Sequence, residues 1–445
     1  MRGSRFQVIP ELEECGPAEL AARVQSLPGC VFFDTAKDSG GGEISMLAAC
    51  PARVWRGDLF DAGGLEALRR GVRGLSEGGM GVDQGLPGRV LAGSISYEGG
   101  YHFGEYGEVL VYRHGEGRWY GNGEGWRRWM EGGLAGRLRG ALRFEAGMER
   151  EVFCAMVRRA QEYISAGDIY QVNLSHEFRA AWPGGAPWAF YEALRHYSPA
   201  PYGAYLDQGS RFLLSTSPEL FLRISGREIR TRPIKGTRPR RADAHADERS
   251  AYDLITSAKE VAELVMITDL ERNDLGQVCE WGSVAVRELL KLERYEQVFH
   301  LVSTVEGRLR EELDEVLALR ACFPGGSISG APKKRAMEII RELEGVPRGG
   351  YTGAIGWFGS GGESAFNIAI RTVEVDGEEG NRQARFRVGA GVVADSVPER
   401  EWEETWDKAA GILLGAQRLE WEEGGGVGRC GGHGLGVDRG KAGAG

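Results

Sequence analysis

Near its C-terminal end the chain passes through three stretches, Gly353 to Phe358, Ser364 to Val375 and Ala384 to Ala394, in which apolar and polar side chains alternate. A period of two is the mark of extended strands, whose successive side chains leave opposite faces, and three such runs predict an antiparallel sheet. Similar runs occur earlier. Ile169 to Phe178 reads as a strand, Arg211 to Ile224 as a strand pair broken at Ser217-Pro218, and Val298 to Leu309 as a further strand. Upstream, short apolar runs divided by glycine give strands at Cys30–Asp34, Val90–Ser96 and Val109–Tyr112, with 115–147 read as a loop and boundary region.

Helical periodicity interrupts these strands. Glu19 to Val24 and Leu65 to Leu75 form short helices. Glu149 to Ala166 places Phe153, Met156, Val157, Ala160 and Ile164 on one face, and Asp247 to Leu270 reads as one long helix. Pro332 to Leu343 has proline where a first turn accepts it, and a last helix spans about Pro398 to Leu414. The expected units are an N-terminal region (1–147), a main domain (148–420) and a tail (421–445). The stretch 424–445 holds eleven glycines and almost no large apolar side chain, so it is expected to stay disordered.

The net charge of −9 argues against a general nucleic-acid binder. Seven cysteines without a C-x-x-C pair argue against a disulfide framework or a zinc site. The first thirty residues carry Glu11, Glu13 and Glu14 and no apolar signal core, and no run of eighteen apolar residues occurs. The expectation is a soluble cytoplasmic protein.

Two carboxylate pairs stand three residues apart on expected helices, Glu260 with Glu263 and Glu401 with Glu404. That spacing puts both members of a pair on one face. Two such faces brought together would need a cation, and oxygen-only donors point to Mg²⁺; solvent-facing charge is the plain alternative. The run Phe323-Pro-Gly-Gly-Ser-Ile-Ser-Gly-Ala-Pro-Lys333 lacks the GK[ST] ending of a nucleotide loop, though its free N–H groups could meet an anion. Gly389 and Gly391 offer bare amides for a carboxylate, or mark a bulge. His300 in an apolar strand reads locally as a structural histidine. Arg371 ends an apolar strand and suits either a substrate carboxylate or solvent. Lys235, in Arg232-Pro-Ile-Lys-Gly-Thr237, is held on a proline-stiffened turn that by itself reads as surface, with Arg238, Arg240 and Arg241 following.

Taken together these residues resemble the chorismate-utilising enzymes, the family of anthranilate, aminodeoxychorismate, isochorismate and salicylate synthases. The matching motifs are Gly167-Asp-Ile-Tyr-Gln-Val-Asn-Leu-Ser175, Ser217-Pro-Glu219, Pro233-Ile-Lys-Gly-Thr237, Asp269-Leu-Glu-Arg-Asn-Asp274, the 324–332 loop, Tyr351-Thr-Gly353 and Gly389-Ala-Gly-Val-Val-Ala-Asp-Ser396. The resemblance is strong from about 150 to 415 and weaker before. It implies an α+β fold, a large two-layer antiparallel β-sheet core wrapped by helices. It also implies one Mg²⁺ held through Glu260, Glu263, Glu401 and Glu404 and gripping the ring carboxylate of chorismate. Arg371, Tyr351 and the Gly389 and Gly391 amides would bind the enolpyruvyl carboxylate, and Thr237 would stand near the ring carboxylate. Glu219 matches the general acid and His300 the family's active-site histidine.

Two positions sort the branches by resemblance. Gln171 stands where water-using members carry lysine, and it cannot take a proton at neutral pH, which suits ammonia as nucleophile. Lys235 stands where anthranilate synthases carry alanine and is similar to the nucleophile of the aminodeoxychorismate branch. On that resemblance the free amine of Lys235, helped by the nearby arginines, adds at ring C2 as the 4-hydroxyl leaves. Ammonia from a separate glutamine amidotransferase subunit then adds at C4, for para-aminobenzoate and folate synthesis. Anthranilate synthase component I with an unusual lysine is the enzymatic alternative, and a non-catalytic tryptophan- or chorismate-binding homologue the alternative of another class. Phe32-Phe-Asp-Thr-Ala36 falls where relatives bind tryptophan.

Overall fold

The computed structural model describes residues 6–35, 44–76, 86–131, 136–295 and 298–423. Its strands form two antiparallel sheets, one of twelve strands and one of ten among the described residues. The first runs through Val31–Asp34, Tyr202–Asp207, Arg211–Ser217, Thr372–Asp376, Gln383–Val392 and Gln171–Ala181. The second runs through Ile234–Pro239, Val298–Arg308, Glu228–Arg232, Leu220–Ser225, Glu363–Ile368, Ala354–Gly359 and Val90–Ile95.

Period-two alternation decides how the layers stack. In strand Val31–Asp34, Val31 faces the second sheet and packs in a core with Val90, Ala92, Leu213, Ile355 and Trp357. Its neighbour Phe32 faces the other way, onto Trp188 and Tyr191 of helix Pro187–Tyr197, Leu20 of helix Pro17–Val24 and Ile412 of helix Pro398–Glu423. On the far side of the second sheet Leu91, Phe103, Phe358 and Phe366 meet helices Ala62–Ser76, Ala258–Val278 and Glu315–Cys322. The order is therefore helices, sheet, sheet, helices, the two-layer core expected above. Each fully buried aliphatic or aromatic side chain contributes roughly 1.5–3 kcal/mol. Strands from the first 147 residues are hydrogen-bonded into both sheets, so that region shares the cores of the rest.

Four local expectations are corrected. Segment 115–147 is not a loop throughout: Arg118–Gly121 is a strand, Trp126–Trp129 a short helix and Glu145–Ala146 a strand. Buried Trp119, Trp126 and Trp129 hold it, Trp119 also donating to the Cys15 carbonyl at 2.8 Å. The helix expected over 247–270 is two, Ala244–Ile255 and Ala258–Val278. Thr256 Oγ1 bonds back to the Tyr252 carbonyl at 2.7 Å and Ser257 caps the second helix, side-chain bonds that compete with helix continuation. The last helix extends to Glu423; the remainder of the expected tail, 424–445, lies outside the described residues.

The fourth correction concerns 364–375. It is two strands, Glu363–Ile368 in the second sheet and Thr372–Asp376 in the first. The chain changes sheets between them, and Arg371 takes φ +48 to make the corner. The break at Ser217-Pro218 is the same device, since Arg211–Ser217 lies in the first sheet and Leu220–Ser225 in the second. The corners are bonded to each other: Ile368 N–H to the Glu219 carbonyl at 3.1 Å, Thr216 N–H to the Arg371 carbonyl at 3.0 Å, and Ser217 Oγ to the Ile368 carbonyl at 2.6 Å.

Candidate active site

The double corner carries Glu219 on one crossing and Arg371 on the other. Beside it lies a cavity of about 250 Å³ lined by Thr237, His300, Arg371, Lys408, Tyr197 and Tyr295, among others. No carboxylate pairs with the Arg371 guanidinium among the described residues, and burial holds it below its usual pKa. A cation partly withdrawn from water and left without an anion is suited to receive one from a ligand.

His300 and Thr237 are joined, Oγ1 to Nδ1 at 2.9 Å. Burial first, and Arg371 second, push His300 down to about 3, so its imidazole is neutral near pH 7. Thr237 lies on strand Ile234–Pro239, which pairs with Val298–Arg308 through a bulge between Lys235 and Thr237. The extra residue is Gly236, at φ +72, where an added Cβ would stand 2.7 Å from Leu254 Cδ1 and 3.0 Å from Glu260 Oε2. Only glycine fits both that angle and that approach.

Lys235 is not a surface residue. Its Nζ donates to the Ser327 carbonyl at 3.4 Å and lies 3.9 Å from Glu263 Oε2. The arginines that follow do not join it: Arg240 bonds Asp247 at 2.9 and 3.0 Å, and Arg238 lies 3.6 Å from Glu260. Gln171 and Gly391 complete this side. A Cβ on Gly391 would stand 2.6 Å from Gln171 Nε2 and 3.8 Å from Lys235 Nζ. Gln171 is 1% exposed and cannot swing away. Gly391→Ala is therefore expected to lower kcat/KM about tenfold with an unchanged circular dichroism spectrum.

Burial pushes the Glu219 carboxyl up, with the Ser327 hydroxyl and Lys235 pulling against it. Tyr351, also buried, has its phenol pushed up by burial, and its hydroxyl would lie 2.8 Å from a Cβ on Gly389. The Gly389 carbonyl accepts Lys408 Nζ at 2.8 Å, and Lys408 pairs with Glu404 at 2.7 Å. Burial pulls Lys408 down, but Glu404 outweighs it and holds the ammonium above its usual pKa. Lys408 thus ties the Arg371 cavity to the carboxylates.

The two glutamate pairs come together across helices Ala258–Val278 and Pro398–Glu423. Lys259 bridges them, 3.2 Å from Glu401 and 3.9 Å from Glu263. Burial pushes Glu263 up, Glu260 and Glu404 push the same way, and Lys235 and Lys259 oppose. Partial burial pushes Glu404 up, but Lys408 outweighs it and holds the carboxyl below its usual value. Glu401 Oε1 accepts Ser396 Oγ at 2.8 Å, while its buried Oε2 has no hydrogen-bond partner. A hard cation fits this all-oxygen set and that orphaned oxygen, although among the described residues no three acidic, His or Cys groups already converge as a metal cage.

The remaining position stands apart. Asp34 of the 32–36 segment is bonded by Arg195 at 2.7 and 3.2 Å and by Tyr191 at 3.1 Å, and Ala36 lies outside the described residues. Sequence reasoning missed Lys408, Lys259 and Ser327. The first is four residues beyond Glu404 and the second four before Glu263, a spacing that pairs side chains on one helix face and could have found both. Among the described residues no helix is long and apolar enough to cross a membrane.

A double-sheet enzyme fold with a cationic, carboxylate-flanked cavity at its crossing is the class these features define. Solved structures share the fold. Anthranilate synthase component I of Streptococcus pneumoniae superposes with TM-score 0.73 at 28% identity, over 85% of this chain and 93% of that one. The menaquinone-specific isochorismate synthase of Escherichia coli superposes with TM-score 0.74 at 19% identity, over 93% and 94%, a likeness of fold alone. Residues 135–414 match the family described as chorismate binding enzyme, and the chain belongs to that family. Among curated relatives, anthranilate synthase component 1 of Thermus thermophilus is 48% identical over 66% of this chain and 63% of its own length. Aminodeoxychorismate synthase component 1 of Bacillus subtilis is 46% identical over 63% of this chain and 58% of its own. The matched part thus spans less than two thirds of these relatives.

Proposed function

We propose that the chain is the large component of an aminodeoxychorismate synthase, converting chorismate and ammonia to 4-amino-4-deoxychorismate. The observation that carries this reading is the position of Lys235 Nζ, inside the site between Ser327, Glu263 and Gly391 rather than in solvent. The Arg371 guanidinium and the Gly391 amide bind the enolpyruvyl carboxylate, with Tyr351 beside them. The neutral His300–Thr237 pair lines the ring carboxylate's side of the cavity. The Lys235 amine forms a bond to C2 while the ring double bonds shift. The C4–O bond breaks, and the 4-hydroxyl takes the Glu219 proton and departs as water. Ammonia then bonds to C4, the shift reverses, and the C2–N bond breaks to free Lys235. The Glu219 carboxylate takes the surplus proton, so chorismate and ammonia give the amine and water.

Glu260, Glu263, Glu401 and Glu404 would hold Mg²⁺ in place of the Lys259 bridge, and the cation would neutralise the ring carboxylate. Ammonia is supplied by a separate glutamine amidotransferase subunit, which docks on this component.

The second reading is anthranilate synthase component I, the name that most of the similar curated proteins carry. Mass spectrometry after incubation with chorismate, Mg²⁺ and ammonium separates the two. A product that keeps its enolpyruvyl group, with no pyruvate, is expected. Pyruvate and a fluorescent aromatic acid would replace this reading by the second, and no turnover would leave a binding homologue. A chelator should abolish turnover and added Mg²⁺ restore it; turnover unaffected by chelation would remove the metal.

A further inference from the structure

Lys235 and Glu219 both meet the short helical turn Gly326–Ile328. The Ser327 carbonyl accepts Lys235 Nζ at 3.4 Å. The Ser327 hydroxyl is near enough to the Glu219 carboxyl to favour its anion, yet its buried Oγ makes no hydrogen bond of good geometry. What holds the turn is therefore what aims two groups of the site.

Two fastenings flank Ser327. On one side the Gly326 N–H donates to Glu271 Oε1 at 2.9 Å, and Thr231 Oγ1 donates to Glu271 Oε2 at 3.4 Å. On the other, Arg348 Nη1 donates to the Ile328 carbonyl at 3.0 Å, and the Asn173 N–H to the Ser329 carbonyl at 2.9 Å. Arg348 belongs to a buried ion group with Glu344 and Arg387, which serves the first sheet broadly. Glu271 is more specialised. It is 2% exposed, and the Gly326 N–H and the Thr231 hydroxyl are its hydrogen-bond donors among the described residues. Burial, reinforced by Asp274 and opposed by Lys333, pushes its carboxyl up to about 7. Burying an acid is costly, and an apolar side chain would fill the space more cheaply unless the acceptor is needed.

We propose that Glu271 is a positioning residue: by accepting the Gly326 N–H it sets where Ser327 stands, and Ser327 presents its carbonyl to Lys235 and its hydroxyl to Glu219. The proposal rests on the reading above that Lys235 and Glu219 act on the substrate. A purely structural Glu271 would cost stability and leave turnover of the folded enzyme alone.

The test is a double-mutant cycle on the full chain, following chorismate consumption with saturating ammonium and Mg²⁺. Consumption is read rather than product, so the cycle stands whichever amination product forms. Glu271→Ala and Ser327→Ala should each lower kcat about tenfold, with KM for chorismate within about twofold. Glu271→Gln, which keeps an acceptor for Gly326, should recover most of that loss. The double variant should cost no more than the worse single one, because both break one chain of contacts. If Glu271→Ala does not fold, Glu271→Met takes its place, filling the volume without a strong acceptor. Additive losses, a Gln variant as slow as the Ala variant, or a lowered melting temperature with unchanged kcat would each overturn the proposal. A wild-type chain that consumes no chorismate overturns both it and the reading beneath it.

Discussion

Replacing Lys235 by alanine is expected to lower aminodeoxychorismate formation by roughly a hundredfold or more, about 2.7 kcal/mol of barrier. The residual flux should move toward pyruvate and an anthranilate-like product. The variant removes the amine that makes the C–N bond at C2 on the proposed route. Ammonia can occupy the vacated volume and attack C2 itself, and an amine retained at C2 leads to loss of the enolpyruvyl group. The fold should tolerate the change, since Lys235 Nζ makes one long bond to the Ser327 carbonyl and stands 3.9 Å from Glu263. The measurement is product mass spectrometry with pyruvate release, run beside a thermal melt. Unchanged aminodeoxychorismate formation would take lysine out of the mechanism.

Glu219→Gln carries the other large effect. A positioned general acid contributes roughly 10²–10⁴-fold, and chorismate consumption should fall by that order. The amide keeps the shape of the corner, where the Glu219 backbone accepts Ile368 N–H, so folding should survive. The pH profile supplies a sharper reading. Burial raises the Glu219 pKa, so the proton it gives to the 4-hydroxyl persists to higher pH than on an ordinary carboxyl, and is lost as pH rises through that raised value. Wild-type kcat should show an alkaline limb from this group, and Glu219→Gln should lack it. The same shift has a sign for stability. The folded state binds the proton more tightly than the unfolded one, so stability is greatest below about 4.3 and declines as pH rises through the folded pKa. Glu219→Gln should flatten that decline. A variant with wild-type rate, or with the limb intact, would assign the acid elsewhere.

How much of this was legible beforehand varies from residue to residue. Lys235 reads locally as a solvated turn, because proline, glycine and threonine around a lysine describe many surface loops. Its burial depends on Ser327, ninety-two positions away, and on Glu263, neither of which local pattern can place. The paired glutamates were visible as helix faces. That the faces meet, and that Lys259 stands between them, follows from the packing of two helices more than a hundred residues apart. The break at Ser217-Pro218 was readable from proline, whereas the matching break at Arg371 was not, since no glycine or proline marks it. There an arginine holds φ +48, with its carbonyl bonded by the Thr216 N–H at 3.0 Å.

By itself the sequence determined many of the strands and helices, the antiparallel arrangement, the acidic and glycine-rich motifs and the family they belong to. All of these rest on short-range periodicity, turn chemistry and ordered motifs along the chain. Only the tertiary structure decided that two sheet crossings coincide, and it is there that Glu219 and Arg371 meet Lys235, His300 and the glutamates. The reason is physical. Hydrogen bonds between distant strands fix which corners touch, and burial then sets the charge on each group, keeping His300 neutral and lifting Glu219.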